Sequence, residues 1–272
     1  MKQSEKIRRF DSVGALVRFI EEVPVNPRFT HLSSQRVDRG GEWSGTETWG
    51  EAFDLLRFGD PASAALLQSA AVKMRAADGS RRAFVDSVAG FAPNVPAYLR
   101  GLPLSMISKG TKTANNKVVD LVYNMAAASM VDKTEIAEAG AKILTAIQAA
   151  EKNGYRVNLY AGSLGQNSDG SELSGAFIKI KDSGTYITPS KIAFFLVNPS
   201  FLRRVIFAYW ERIKLRSSCW FTCYGYPVHR GEVVAASAAS VGIDTAAVIL
   251  SANDLKQMTV QQIADRLTGA AK

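Results

Sequence analysis

The sequence predicts an α/β protein with a three-layer, mostly parallel sheet, preceded by a mainly helical N-terminal region. From Lys117 onward, strand-like runs alternate with helix-like runs, which is typical of a parallel sheet covered on both faces. The chain has 272 residues, 47% of them hydrophobic, and is long enough to bury a large core. We expect residues 1–110 to form the helical region and residues 111–272 the α/β domain.

Three helices are predicted in the N-terminal region. The run SVGALVRFIEEV places its apolar residues on one helical face. A second helix begins after Thr46 or Thr48, either of which could cap it, and stops at a Gly-Asp-Pro sequence. The third covers residues 61–77, with Pro61 in its first turn.

A Pro-rich cross-over is predicted at about residues 90–110. Prolines at positions 93, 96 and 103 forbid a continuous helix there. The segment also carries apolar residues, including Phe91 and Tyr98, whereas a free linker would be polar. It is therefore an ordered connection between the two halves or a segment that binds a partner.

The C-terminal half reads as alternating strands and helices. KVVDLVYNM, YRVNLYAG and GAFIKIKDSG are predicted strands, and DKTEIAEAGAKILTAIQAAEKNG is the helix between the first two. A long helical run then follows from residue 189, with a kink or restart at Asn198-Pro199. SSCWFTCYGY and DTAAVILSAN predict two more strands, and TVQQIADRLTGAA predicts a final amphipathic helix.

The charge and the cysteine content indicate which partners and which cellular location are expected. The net charge is +8, so nucleic acid or another acidic partner is plausible. No apolar run is long enough for a membrane span, and the charged start lacks the core of a signal peptide, so we expect a cytoplasmic protein without a membrane. Cys219 and Cys223 have a C-x3-C spacing, unlike redox or zinc motifs, and are expected to be buried and reduced in a strand.

Common catalytic motifs do not occur in the sequence. Nucleotide-binding glycine patterns and H-E-x-x-H are missing, and His31 and His229 are the two histidines. A nucleophile pair of Cys223 and His229 is conceivable, but a core cysteine beside a loop histidine is the simpler interpretation. We therefore expect a non-catalytic protein without a cofactor or a metal.

The run SFLRRVIFAYWERIKLRSSCW interleaves basic and aromatic residues. Such a run can bind phosphates and stack on bases, which favours a nucleic-acid-binding helix at residues 200–216. Its apolar residues also describe a stripe that faces a core, over which arginine stems lie. Both interpretations stay open for five residues: Arg203, Arg204, Arg212, Lys214 and Arg216.

The order of elements from residue 117 resembles that of the von Willebrand factor A domain, and a flavodoxin-like or other Rossmann-like three-layer fold has a similar order. In that family the first strand ends in a metal-binding D-x-S-x-S loop, and the third strand is an antiparallel edge, as GAFIKIKD would be here. Laid on this chain, the loop becomes Asn124, Ala126 and Ala128, with Ser129 one position beyond the pattern. Since a hard cation needs oxygen ligands, the resemblance implies a degenerate loop that has lost its metal.

The whole chain is similar to an uncharacterised family encoded in phage genomes. The similar segments are WSGTETWGEAFDLLRFGD, PNVPAYLRGLPLSM, GYRVNLY and NPSFLRRVIFAYWE. Neighbouring genes in that family imply a partner class, AAA+ ATPases of the MoxR type. We therefore expect a phage adaptor protein in the host cytoplasm, with partner contacts made by aromatic residues: Trp43, Trp49, Phe91 and Tyr98.

Overall fold

The computed structural model describes residues 6–78, 84–87, 92–103, 105–109, 117–125, 133–185 and 187–269. The strands are β1 (Ile7–Phe10), β2 (Phe84–Ser87), β3 (Ala92–Pro93), β4 (Met106–Lys109), β5 (Val118–Asn124), β6 (Arg156–Gln166), β7 (Leu173–Lys181), β8 (Tyr226–Pro227) and β9 (Val248–Ser251). The helices are α1 (Val13–Glu22), α2 (Trp49–Phe58), α3 (Pro61–Asp78), α4 (Val95–Leu99), α5 (Lys133–Lys152), α6 (Pro189–Val197), α7 (Phe207–Trp210), α8 (Cys219–Cys223), α9 (Gly231–Ser240), α10 (Ala252–Gln257) and α11 (Val260–Gly269). A π-helix, Phe201–Ile206, precedes α7.

A mixed, mostly parallel sheet with strand order β1-β7-β6-β5-β9 organises the fold. β5 pairs in parallel with both β6 and β9, and β1 pairs in parallel with β7. β7 runs antiparallel to β6, and the short β8 pairs with the end of β6. The predicted α/β class with a mostly parallel sheet is therefore confirmed.

The two faces of this sheet bury separate hydrophobic clusters. Leu121 and Tyr123 of β5 belong to the larger cluster, whereas Val122 between them belongs to the smaller one, because successive strand residues point to opposite faces. Helices α1, α3, α5, α6, α7 and α11 bury residues in the larger cluster, and α9 covers the smaller one. The sheet thus lies between two helical layers.

The N-terminal helices follow local signals in the sequence. Ser12 caps α1 by accepting a hydrogen bond from the amide of Ala15, and of the two predicted caps for α2 it is Thr48 that accepts from the amide of Glu51. α3 begins at Pro61. These helix predictions agree with the structure.

Strand β1 was not predicted, because its sequence IRRF is short and half of it is charged. Only its pairing with β7, far along the chain, makes it a strand. Since α3 also packs on α5 and α6, both predicted regions contribute to one sheet and one core. The division at residue 110 stays a prediction.

The long helical run from residue 189 is interrupted where Asn198-Pro199 predicted a kink or restart. α6 ends at Val197, and the chain continues in the π-helix and α7 after a bend of 72°. Within the described ranges, no one helix is both long and apolar enough to cross a bilayer. α6 and the run Phe201–Trp210 reach that length and composition only when they are taken together.

Two strand predictions need correction. The run SSCWFTCYGY forms the short helix α8 before β8, with Cys223 exposed and Cys219 partly exposed, so the expected burial in a strand is wrong. Trp220 instead anchors α8 in the core, and left-handed backbone at Tyr224 (φ 59°) ends it. β7 is antiparallel as expected but is not an edge strand, because β1 pairs with its outer side.

Candidate functional site

The Pro-rich segment presents an exposed apolar surface, which we call the α4 surface. It consists of Val95, Tyr98, Leu99 and Leu102, whose exposed fractions lie between 48% and 78%. The spacing of three, four and seven positions places the first three on one side of α4, with Leu102 just beyond its end. Clustered apolar side chains in contact with water are typical of a protein interaction site.

Local sequence explains why α4 forms at this place. The side chain of Asn94 accepts a hydrogen bond from the amide of Ala97, and Pro96 stands in the first turn, where a proline is tolerated. After the last turn, Gly101 adopts a φ of +69°, and the amide of Leu102 donates to the carbonyl of Ala97 at 3.1 Å. The helix therefore begins and ends at defined residues.

A small antiparallel sheet of strand order β2-β4-β3 holds the α4 surface in place. β3 leads into α4, and β4 follows it. The amide of Asn94 donates to the carbonyl of Ser105 at 2.8 Å, and Ala97 is buried. The backbone is thus fixed while the large apolar side chains face outward. Tyr98, a predicted contact residue, lies in this surface, and Phe91 lies outside the described residues.

A positive charge borders the α4 surface. Arg100 is exposed, and its Nε donates to the carbonyl of Pro96 at 3.0 Å, which holds the side chain along the helix. An apolar surface with a cationic border is complementary to an apolar surface with an acidic border.

The two predicted tryptophan contacts are half-buried and pack against their own chain. Trp43 lies against Phe207, with ring centroids 6.3 Å apart, and carries the guanidinium group of Arg203 over its ring at 5.0 Å. Trp49 stacks on Phe53 at 5.1 Å. Both rings therefore stabilise the fold of residues 43–58 and expose only part of their area.

Arg204 in the basic and aromatic run is completely buried. Its guanidinium group donates four hydrogen bonds, through Nη1 to the carbonyls of Ser34 and Arg36 and through Nη2 to the Ser44 hydroxyl and the Thr46 carbonyl. The distances are 2.7 to 3.0 Å. A planar guanidinium can reach four such acceptors at once. Arg204 thus fastens the loop of residues 34–46 onto the π-helix.

Asp38 forms further hydrogen bonds within the loop of residues 34–46. Its Oδ2 accepts hydrogen bonds from the amides of Trp43 and Ser44 and from the Ser44 hydroxyl. Hydrogen bonds from Ser44 hold the pKa of the Asp38 carboxyl below its ordinary value, and the positive charge of Arg204 adds to this. The loop is therefore organised by one buried cation and one carboxylate.

Two of the other four basic residues of the run donate hydrogen bonds to backbone carbonyls, and the other two are exposed to solvent. The guanidinium of Arg203 is nearly buried and donates to the carbonyl of Trp43, while Arg212 donates to the carbonyls of Ile20 and Ala208. Lys214 and Arg216 are exposed. The structure therefore buries Arg203 and Arg204, holds the half-buried Arg212 in contacts within the chain, and leaves two of the five predicted nucleic-acid contacts exposed.

Asn124, the first residue of the degenerate loop, is buried and cross-links the sheet. Its Nδ2 donates to the carbonyl of Val228 at 2.8 Å, and its Oδ1 accepts from the amide of Leu164 at 3.2 Å. Ala126, Ala128 and Ser129 lie outside the described residues. No group of three His, Cys, Asp or Glu side chains in the described ranges is placed to hold a metal ion.

Cys223 and His229 are both exposed. The thiol of Cys223 donates to the carbonyl of Cys219 at 3.1 Å, one turn earlier in α8. No hydrogen bond joins the two side chains, both of which the structure describes, so the nucleophile pair stays a hypothesis without geometric support.

Two buried carboxylates were not singled out from the sequence. Glu211 accepts hydrogen bonds from the hydroxyls of Ser34 and Tyr224, both at 2.5 Å, and burial raises its pKa. Glu172 pairs with Lys6 and accepts from the indole of Trp220 at 3.1 Å. A glutamate inside the apolar run FAYWERI is the signal that could have indicated the first of them.

Comparison with protein families matches nearly the whole chain. A family model described as "Domain of unknown function (DUF7192)" matches residues 2–266. No curated protein and no solved structure matches the chain.

Proposed function

The chain belongs to this family, and we propose that it acts as a non-catalytic adaptor that binds a protein partner through the α4 surface. One observation carries the proposal, namely the exposure of four large apolar side chains, Val95, Tyr98, Leu99 and Leu102, on a backbone that is held by capping and strand pairing. Such a surface binds with little rearrangement, because the backbone is already ordered.

Burial of these side chains would supply the binding energy. An apolar side chain that moves from water into an interface contributes about 1.5–3 kcal/mol. Tyrosine is enriched among the residues that dominate interfaces. Tyr98 and Leu99, which are 70% and 78% exposed, have the most area to bury. They would therefore form the centre of the contact.

The expected partner surface is an apolar groove with acidic residues at its border. Arg100 lies at the edge of the α4 surface, and the chain carries a net charge of +8, so acidic groups on the partner would accelerate association and fix its orientation. The resemblance to a phage family suggests an AAA+ ATPase of the MoxR type as the first candidate. The strand order β7-β6-β5-β9, with β7 antiparallel, supports the A-domain resemblance, and this half would serve as the rigid platform.

The test uses the full-length chain and two variants. Affinity capture from infected cells would identify bound ATPases, and the affinity of the purified pair would then be measured by calorimetry. We expect the variant Y98S/L99S to bind at least about tenfold more weakly than the wild type. The variant L66S is the matched control, since Leu66 is 60% exposed on α3 and lies outside the α4 surface. Equal affinity of all three proteins would contradict the proposal.

A nucleic-acid-binding function is the second candidate, and it rests on the exposure of Lys214 and Arg216. It predicts binding of labelled DNA or RNA that falls steeply between about 50 and 200 mM salt. The variant K214A/R216A should then reduce the slope of log affinity against log salt by about two. Binding that does not change with salt would rule out phosphate contacts of this kind.

A further inference from the structure

A cavity of about 210 Å³ lies beyond the carboxyl ends of β5 and β9. The chain leaves β5 through α5 to reach β6 on one side, whereas β9 pairs on the other side. The strand order therefore reverses at this point. In open α/β sheets, ligands bind outside the carboxyl ends of the strands where such a reversal occurs.

The floor of the cavity is apolar and rigid. Tyr123 and Met125 reach it from the end of β5, and Leu255 reaches it from α10. Each of these three residues is at most 2% exposed, so the hydrophobic core fixes their positions. Ile136 of α5 and Leu202 of the π-helix close the sides. The lining is suited to the apolar body of a small molecule.

Three cations line the same cavity, and the exposed Lys256 among them is already paired with Glu135. Lys142 of α5 is partly buried, and its Nζ donates to the carbonyl of Leu255 at 2.5 Å. No ion pair among the described residues includes Lys142, although Glu138 stands one helical turn before it on α5. Arg203, nearly buried, lines the cavity from the π-helix. Cations that border an apolar cavity favour an anionic ligand group, because a charge-assisted hydrogen bond is stronger than a neutral one.

The acidic residues at the cavity limit the charge of a ligand. Oε2 of Glu135 is paired with Nζ of Lys256 at 2.8 Å. Glu138, three residues further along α5, also lines the cavity and is exposed. Glu138 would repel a polyanion such as a nucleotide, while a single negative charge near Lys142 would be stabilised.

We infer that this cavity binds a small monoanion with an apolar body, such as an aliphatic or aromatic carboxylate. A cavity of about 150 Å³ holds benzene, so about 210 Å³ has room for roughly eight or nine non-hydrogen atoms. The carboxylate would lie near Lys142 and Arg203, and the apolar body would contact Met125 and Leu255. This inference is independent of the α4 surface.

Binding of defined probes to the full chain tests the inference. Benzoate and hexanoate would be compared with benzamide and hexanamide by titration calorimetry or ligand-detected NMR. We expect the anions to bind saturably and at least about tenfold more tightly than their amides, since the amides lack the charge. N-acetylalanine and its amide, which are close in size to benzoate, are compared in the same way. This comparison tests whether the carboxylate is the carboxyl terminus of a peptide or belongs to a free small acid.

Matched variants locate the site. A139L fills the cavity and should abolish binding, whereas A149L should not. Ala149 is a similarly half-buried alanine about 15 Å further along α5 and outside the lining. K142Q keeps a donor for the Leu255 carbonyl but removes the charge, and should weaken benzoate binding at least about tenfold. K152Q, which removes an exposed charge at the end of α5 outside the lining, should weaken it by less than about threefold.

Three results would overturn the inference. They are no saturable binding of any anionic probe, equal affinity for the anions and their amides, or unchanged binding by both A139L and K142Q. Thermal unfolding of each variant would be measured beside the titrations. If A139L proves unstable, the comparison of K142Q with K152Q decides the result.

Discussion

Arg204 donates a hydrogen bond through Nη2 to the carbonyl oxygen of Thr46 at 2.7 Å, although the two residues are 158 positions apart. The same guanidinium group also reaches Ser34, Arg36 and Ser44. Arg204, which belongs to the basic and aromatic run of the sequence, thus holds the loop of residues 34–46 against the π-helix. Its acceptors are three backbone carbonyls and one hydroxyl of the same chain, so replacing Arg204 should lower the stability of the fold.

The variant R204A should lose about 3 kcal/mol or more of unfolding free energy, because three carbonyls and a hydroxyl would each lose a charged donor and the Ser34 carbonyl would stay buried. Urea unfolding followed by circular dichroism measures this. R204K is the control, since it keeps the charge but cannot reach four acceptors with one ammonium group, and it should lose an intermediate amount. An R204A protein as stable as the wild type would show that the network contributes little.

The variant G45A should unfold much more easily than G101A. Both glycines have a positive φ, +86° and +69°, so alanine is strained at either position by about 1–2 kcal/mol. At Gly45 the new Cβ would also lie 2.3 Å from Oδ1 of Asn198, while at Gly101 no atom lies within 4 Å. Thermal unfolding of both variants tests whether residues 43–46 pack this closely on Asn198. Equal losses in melting temperature would contradict the close approach.

The stability contribution of Glu211 should decrease as the pH rises. Burial raises the pKa of its carboxyl, and hydrogen bonds from Ser34 and Tyr224 offset only part of this. The folded protein therefore holds the proton to a higher pH than the unfolded chain, in which a glutamate titrates at about 4.3. The contribution is fully present below that pH and is lost as the pH rises through the folded-state pKa.

The variant E211Q cannot titrate and isolates this effect. The difference in unfolding free energy, wild type minus E211Q, should fall as the pH is raised from about 4 to about 8. Urea unfolding of both proteins at a series of pH values gives this difference. A difference that stays constant or increases with pH would show that burial does not dominate at Glu211.

Glu172 should show the opposite dependence on pH. Burial alone would raise the pKa of its carboxyl, but hydrogen bonds from Lys6 and from the amides of Ser217 and Arg216 outweigh it and lower the pKa. Its stabilising effect is therefore present above about pH 4.3 and lost as the pH falls through the lower folded-state pKa. Compared with E172Q, the wild type should lose its advantage in acid, as unfolding at about pH 3 and about pH 7 would reveal. An advantage that persists at the lower pH would contradict the direction of the shift.

Elements with local signals could be predicted from the sequence. A serine caps α1, a threonine caps α2, and a proline begins each of α3 and α6. Each of these residues affects only the first turn of its own helix, so the local sequence is enough to predict where the helix starts. Strand β1 and helix α8 depend on distant partners. β1 requires β7, and α8 is fixed by Trp220, whose indole donates to Glu172. Local propensity carries no information about such contacts.

The candidate sites were harder to predict, because burial and long-range placement decide them. Tyr98 and Trp43 are both aromatic and near glycines or prolines, yet the first is 70% exposed and the second packs against Phe207. Arg204 and Arg216 look alike in the sequence, and only the first is buried. The cavity is lined by residues from 123–125, 135–142, 199–203 and 252–256, which only the fold brings together.

The most direct test of the adaptor function is hydrogen exchange of the full chain with and without its purified partner. Residues 94–102 should exchange more slowly in the complex, because the partner would cover the α4 surface, and the variant Y98S/L99S should show no such protection. Unchanged exchange at residues 94–102, with protection confined to residues 201–216, would contradict the assignment of α4 as the interaction surface.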